Sequence, residues 1–153
     1  MVTAYAALAN GGKLVKPTII DGWIDPDGTV REVHPQVLDR VITEEAAATV
    51  TAMLVKGSNE GYAKRGKVAG YRMAGKTGTS QIAGPGGKYE KSGSGSTITS
   101  FGGYGPIDHP KFAMIVKFDR PRTVEFGERS AAPVFKDIAA LIYEYYGVPP
   151  DEK

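Results

Sequence analysis

From Tyr71 onward the chain shows the period-two pattern of a β-strand, with Tyr71 and Met73 alternating with Arg72 and Ala74. Three strands are predicted in this part of the chain, at residues 70–83, 97–105 and 111–119. A polar, glycine-rich connector joins the first two strands, and a tighter proline-containing turn joins the last two. Sequential strands joined in this way are expected to form an antiparallel meander.

Helical patterns predict three helices, near residues 2–9, 43–56 and 131–146. The first is alanine-rich and ends at Asn10-Gly11-Gly12, residues that tolerate left-handed backbone. Thr43 is the predicted N-cap of the second helix, where Glu44 and Glu45 favour the positive end of the dipole, and Ser130 is the predicted cap of the third. The residues predicted to be buried are Val50, Met53 and Leu54 in the second helix and Ala132, Phe135, Ile138, Ala139, Ile142 and Tyr145 in the third.

The region between the first two helices carries weaker strand signals. Residues 14–20 predict a strand that Pro17 places at an edge or a bend. Asp25-Pro26-Asp27-Gly28 has the composition of a turn and is flanked by apolar pairs, so a hairpin is expected. Residues 61–66 predict a short helical turn or a loop.

The chain has 153 residues, of which 41% are hydrophobic and 24% are charged, and this composition is typical of a globular protein. A net charge of +2, without a block of Lys or Arg, gives no reason to expect nucleic-acid or membrane-surface binding. The absence of cysteine excludes disulfides and thiolate metal sites. No apolar run reaches the roughly 20 residues of a membrane span, and Met1 leads straight into a helix-like segment, so neither a membrane segment nor a signal peptide is predicted.

Gly75-Lys76-Thr77-Gly78-Thr79 concentrates one cation, two hydroxyls and two glycines in five residues. Alternate side chains of a strand face the same way, so Lys76 and Gly78 should share one face, and Thr77 and Thr79 the other. A glycine in a strand often marks the close approach of a ligand, and an edge strand can pair with an extended peptide. The stretch is therefore interpreted as a sheet edge for a peptide-like ligand with a carboxylate. A purely structural edge strand is the alternative interpretation.

Lys76-Thr77-Gly78-Thr79 resembles the third motif, K-T-G, of penicillin-binding proteins and serine β-lactamases. Three flanking segments strengthen the resemblance: residues 4–13 (AYAALANGGK), 100–104 (SFGGY) and 131–135 (AAPVF). Their order and spacing are similar to the C-terminal part of class B penicillin-binding transpeptidases over nearly the whole chain. The resemblance implies an α+β fold, an antiparallel sheet flanked by helices. It also implies that residues 1–153 are a single partial domain, the C-terminal portion of a β-lactamase/transpeptidase-like fold.

The family chemistry is acyl transfer through a lysine-activated serine that attacks a D-Ala-D-Ala stem peptide or a β-lactam. By resemblance, the Thr79 backbone N–H would be one of two oxyanion donors, and the Thr77 and Thr79 hydroxyls would hold the substrate's terminal carboxylate. Lys76 would add positive potential and hydrogen-bond to the serine of the second motif, and Gly78 would leave room for the ligand backbone. No cofactor or metal is implied, because an activated serine needs none. The resemblance places the parent protein at the extracytoplasmic face of the bacterial cytoplasmic membrane.

The first two motifs of the family, S-x-x-K and S-x-N, are absent from this sequence. No serine has lysine three residues on or asparagine two residues on, which holds for Ser58, Ser80, Ser92, Ser94, Ser96, Ser100 and Ser130. The nucleophile and its base are therefore expected in a missing N-terminal part of the domain, and this chain alone is expected to be inactive. Without that part, an apolar surface and the edge of the third strand should be uncovered, which favours self-association.

Two other functions remain open. Gly70 to Thr77 fits the P-loop pattern G-x-x-x-x-G-K-[ST], and residues 113–119 could pass for an apolar strand ending in an acid. A P-loop needs a helix directly after its lysine, however, and the residues after Lys76 are rich in glycine. The third possibility is a non-catalytic peptide-binding remnant that keeps the strand without the nucleophile.

Overall fold

The computed structural model describes residues 1–93 and 95–152, so the predicted connector at 84–96 contains one residue, Ser94, outside the described part. The helices are α1 (Val2–Ala9), α2 (Glu44–Glu60) and α3 (Ala131–Tyr145), with 3₁₀ turns at Tyr62–Gly66 and Pro85–Gly87. The strands are β1 (Lys13–Val15), β2 (Gly22–Ile24), β3 (Val30–Glu32), β4 (Val37–Arg40), β5 (Ala74–Gln81), β6 (Thr97–Gly105) and β7 (Phe112–Asp119). The predicted α+β class is confirmed.

Strands β5, β6 and β7 form one antiparallel sheet in that order, as the predicted meander requires. Neighbouring residues of β6 point to opposite faces. Phe101 packs on Phe135 of α3, with ring centroids 4.6 Å apart, whereas the next residue, Gly102, lies under Tyr5 of α1. Tyr104 faces the second helix and its hydroxyl lies 2.6 Å from that of Thr51. The sheet therefore separates α3 on one face from α1 and part of α2 on the other.

The stripe that helix α3 buries against the sheet overlaps the predicted one only in part. Its buried residues are Ala131, Ala132, Phe135, Ala139 and Tyr143. The predicted Ile138 is 37% exposed and Tyr145 is 83% exposed. The prediction is confirmed for Ala132, Phe135 and Ala139 and was wrong for Ile138 and Tyr145, because the alanines let the helix approach the glycine-rich centre of β6 along a stripe that passes through Tyr143. Tyr143, which is only 1% exposed, then fills the end of this interface.

Helix α2 begins as predicted, because Thr43 Oγ1 accepts a hydrogen bond from the Ala46 N–H at 3.1 Å. It continues through Gly57 to Glu60, four residues beyond the predicted end. Its buried residues are Ala47 and Ser58, while the predicted Val50 and Met53 are exposed. Small side chains again face the sheet, since α2 packs directly on β5.

Strand β5 starts at Ala74 rather than at the predicted residue 70. The C-terminal segment holds the preceding residues out of the sheet: Asp151 accepts a hydrogen bond from the Arg72 N–H, and its own N–H donates to the Gly70 carbonyl. Gly70 itself has a left-handed φ of +84°. The alternation of residues 71–73 therefore reflects packing against this segment and not strand pairing.

The region between α1 and α2 contains two small antiparallel pairs, β1 with β4 and β2 with β3. The predicted hairpin is confirmed as β2–β3, and Trp23 on it is 53% exposed. Of the predicted strand at 14–20, only residues 14 and 15 are part of a strand, β1, which has a register shift after Leu14. Its partner strand β4 was not predicted. Within residues 1–93 and 95–152, no helix is long and apolar enough to cross a membrane.

Candidate functional site

Strand β5 places the predicted site residues at one edge of the sheet. Its partner β6 lies on one side only, with Lys76 opposite Gly102 and Thr79 opposite Thr99. As the alternation predicted, Thr77 and Thr79 line the same cavity, which has a volume of about 350 Å³. The threonine pair thus lies on an open surface at a sheet edge, where an extended ligand can reach it.

The loop before α3 is attached to this face of the sheet by three side-chain hydrogen bonds. The Gly127 N–H donates to Thr79 Oγ1 at 3.1 Å. Thr97 Oγ1 donates to the Glu125 carbonyl at 2.8 Å, and Ser130 Oγ lies 2.8 Å from Thr99 Oγ1. Ser130 therefore makes no side-chain cap for α3, which corrects the predicted role. These contacts fix the loop over the threonine face.

The bond from Gly127 determines which hydrogen-bonding role Thr79 can play toward a ligand. Because Thr79 Oγ1 already accepts the Gly127 N–H, the hydroxyl proton of Thr79 can point away from the loop and into the cavity. A hydroxyl held in this way acts as a donor, and a carboxylate is the acceptor-only group that suits it. Gly127 can lie this close to β5 only because it has no side chain, since a Cβ would lie 2.5 Å from the Gly78 carbonyl oxygen.

Lys76 and Gly78 lie on the opposite face of β5 from the threonine pair. The Lys76 ammonium is exposed and donates to the Thr77 carbonyl at 2.7 Å. The structure thus brings Lys76 to the same strand as the threonines but not into their cavity. Space beside Gly78 is occupied by the Ser100 side chain, whose Oγ would lie 2.4 Å from a Cβ at residue 78.

The rest of the cavity is formed by residues that the sequence did not single out: Tyr62, Phe126, Gly127 and Glu128. Tyr62 comes from the 3₁₀ turn after α2, and the other three come from the loop before α3. Phe126 and Tyr62 are 54% and 80% exposed, so they present aromatic surface to solvent. No periodic pattern marks these residues, because they reach the site through long-range contacts alone.

The P-loop alternative lacks its required backbone. After Lys76 the chain continues in extended form to Gln81, paired with β6 along its whole length, and no helix follows the lysine. A phosphate site of this type needs backbone N–H groups that converge at a helix N-terminus. Nucleotide binding through residues 70–77 is therefore excluded by the geometry of β5.

Solved structures of penicillin-binding proteins are similar to this chain in overall fold. Penicillin-binding protein 3 of Mycobacterium tuberculosis, in complex with aztreonam, is similar to this chain with a TM-score of 0.81 and 34% identity over 97% of this chain and 35% of that one. The transpeptidase domain of penicillin-binding protein 3 from Burkholderia pseudomallei is similar with a TM-score of 0.79 and 28% identity over 99% of this chain and 43% of that one. The fold is that of a penicillin-binding transpeptidase domain.

Sequence comparison identifies the family directly. The model of the penicillin-binding protein transpeptidase domain matches residues 1–140. Stage V sporulation protein D of Bacillus subtilis is 37% identical over 97% of this chain, and PbpB of Mycolicibacterium smegmatis is 35% identical over 97%. This chain belongs to the penicillin-binding protein transpeptidase domain family, and the predicted class B resemblance is confirmed. It spans about a quarter of the length of these curated relatives, 23% and 24%.

Proposed function

We propose that this chain provides the substrate-binding strand of a peptidoglycan D,D-transpeptidase. Strand β5 would bind the C-terminal D-Ala-D-Ala of a stem peptide, or a β-lactam that mimics it, with Thr77 and Thr79 holding the terminal carboxylate. The observation that carries this proposal is the Thr79 hydroxyl, which accepts from the Gly127 N–H and so directs its proton into the cavity beside Thr77.

The remaining roles are proposed on the same basis. The Thr79 backbone N–H supplies one of two oxyanion donors. The predicted role of Gly78, room for a ligand backbone, is replaced by another, because its missing side chain accommodates the Ser100 hydroxyl. Lys76, on the other face of β5, provides positive potential and a hydrogen bond toward a serine outside this sequence. The parent protein acts at the extracytoplasmic face of the cytoplasmic membrane, where peptidoglycan is assembled.

Binding to the threonine pair is testable on the chain itself. Saturation-transfer NMR with N-acetyl-D-Ala-D-Ala should show binding that weakens about threefold to tenfold in Thr79→Val and in Thr77→Val, because each loses a charge-assisted hydrogen bond. Ser80→Ala is the matched control, since Ser80 lies next to Thr79 on β5 with its side chain on the opposite face. Equal effects of all three substitutions would contradict a carboxylate site at the threonine pair.

The serine motifs through which the family carries out acyl transfer, S-x-x-K and S-x-N, do not occur in this sequence. A fluorescent penicillin should therefore leave the chain unlabelled, and labelling should appear after addition of an N-terminal transpeptidase segment that carries S-x-x-K and S-x-N. The label should then lie on the added segment. A label mapped by mass spectrometry to Ser80 or Ser130 of this chain would overturn the proposal. Peptide binding without any labelling in the mixture would instead favour the non-catalytic, peptide-binding alternative.

A further inference from the structure

We infer that the outer edge of strand β7 pairs with the same edge of a second copy of this chain. Strand β7 is the last strand of the sheet, and among the described residues no strand pairs with its outer side. Its sequence, FAMIVKFD, contains no proline or glycine that would interrupt pairing. An uncovered strand edge is a template for another strand. The inference goes beyond the proposed function, because β7 does not line the threonine cavity.

The backbone hydrogen-bonding groups of β7 are divided between its two sides. The N–H of Arg120, directly after the strand, donates to the Thr97 carbonyl of β6. The groups of successive strand residues point to opposite sides, so the even-numbered residues of β7 bond to β6. The groups of Ala113, Ile115 and Lys117 therefore point to the outer edge. A second copy that runs antiparallel can exchange hydrogen bonds with all three.

The charges at the two ends of β7 match in one register of such a pair. With Ile115 opposite Ile115 of the second copy, Lys111 lies opposite Asp119 of the second copy, and the reverse pair forms at the other end. Lys111 is exposed and has no ion pair among the described residues. Asp119 has only the exposed Lys117, at 4.0 Å. Two opposite-charge pairs about one two-fold axis make this edge self-complementary.

Neighbouring registers lose these charge pairs. A shift of two residues in one direction places Lys111 opposite Lys117 of the second copy, a like-charge pair. The opposite shift places Asp119 opposite Ala113 of the second copy and leaves Lys111 beyond the end of the strand. A shift of one residue sets the free edge groups against residues whose groups already bond to β6. The register centred on Ile115 is therefore favoured.

Apolar side chains pair on the other face of the sheet in the same register. Phe112, whose ring centroid lies 6.0 Å from that of Phe135 in α3, is opposite Phe118 of the second copy. Phe118 is 37% exposed in the single chain, so pairing would cover it. Met114 is opposite Val116 of the second copy. Aromatic and apolar cross-strand pairs stabilise a sheet, so the register that matches the charges also matches the apolar residues.

The paired sheet would combine three strands from each copy, with β7 of both copies at its centre. Strand β5 then lies at each outer edge, because it is the strand farthest from β7. The threonine cavity of each copy stays open, since pairing uses the opposite edge of the sheet. Dimerisation and ligand binding are therefore independent of each other.

Charge reversal, read out by sedimentation equilibrium, tests the register. The wild-type chain should dimerise, and Lys111→Glu and Asp119→Lys should each weaken the dimer about tenfold, because each variant sets like charges together at both ends. A mixture of the two variants should regain wild-type affinity, since each supplies the charge that the other lacks. Lys56→Glu, on the helix that packs on β5, changes the net charge equally and should leave the dimer unchanged.

Hydrogen exchange identifies the edge that is used. The amides of Ala113, Ile115 and Lys117 should become protected as the protein concentration rises, whereas the amides of the even-numbered residues of β7 should be protected throughout. A chain that stays monomeric, or charge reversals that leave the affinity of the dimer unchanged, would overturn the inference. Concentration-dependent protection on β5 instead of β7 would also overturn it. Recovery in the mixture shows that both variants are folded.

Discussion

Replacing Gly127 by alanine should detach the loop before α3 from the strand that carries the threonine pair. A Cβ at residue 127 would lie 2.5 Å from the Gly78 carbonyl oxygen and 2.7 Å from that of Ser100. Both atoms are backbone atoms of paired strands and cannot rotate away, so the loop must move. Its movement breaks the bond from the Gly127 N–H to Thr79 Oγ1.

The expected loss of stability has two contributions. A lost hydrogen bond reduces stability by about 1 kcal/mol, and forcing a methyl group into a packed contact costs about 1 to 3 kcal/mol. We therefore expect Gly127→Ala to lower the free energy of unfolding by about 2 to 4 kcal/mol, measured by denaturant unfolding. Peptide binding should weaken as well, because the Thr79 hydroxyl loses the partner that orients it.

Gly57→Ala is the matched control for this change. A Cβ at residue 57 meets nothing within 4 Å, and the residue lies inside α2. Alanine is favoured over glycine in a helix by up to about 1 kcal/mol, so this variant should be more stable than wild type. If Gly127→Ala unfolded at the wild-type denaturant concentration and bound peptide equally well, the loop would not be held against β5 as described.

Two further predictions concern other parts of the fold. Ser58 Oγ is buried without a hydrogen-bond partner among the described residues. Ser58→Ala should therefore raise the free energy of unfolding, measured with denaturant, by about 1 kcal/mol, and a decrease of the same size would contradict the assignment of Ser58 Oγ as unpaired. Two 2.7 Å bonds from Arg120 lower the pKa of the Glu90 carboxyl below its ordinary 4.5. The stabilisation by this pair is therefore present above pH 4.5 and is lost as the pH falls through the lowered pKa. An NMR titration should show the pKa of Glu90 rising to its ordinary value in Arg120→Gln, and an unchanged titration would contradict the pairing.

The central sheet was predictable because each of its strands is long enough for alternation to be visible. Strands β6 and β7 agree closely with the predicted residues 97–105 and 111–119. Strand β5 was predicted too long, because the turn at Gly70 is imposed by Asp151, which is distant in sequence and near in space. A local pattern contains no information about such a contact.

The helix faces were predictable only in part, and half of the candidate site was not predictable, for a related reason. In α2 the sheet contacts small residues such as Ala47, and in α3 the buried stripe passes through Ala131 and Tyr143 and leaves the predicted Ile138 exposed. The lining residues Phe126 and Glu128 follow no period and lie beside the threonines because three hydrogen bonds attach their loop to the sheet. The motif identified the strand, and the tertiary contacts supplied the rest of the cavity.

Backbone amide mapping by NMR tests the central claim most directly. The ¹⁵N-labelled chain is titrated with N-acetyl-D-Ala-D-Ala and, separately, with the same peptide as its C-terminal amide. We expect shifts confined to the amides of Thr77, Gly78, Thr79 and Gly127 with the carboxylate, and much smaller shifts with the amide. Absence of shifts at these residues, or equal shifts with both peptides, would contradict a terminal-carboxylate site on β5.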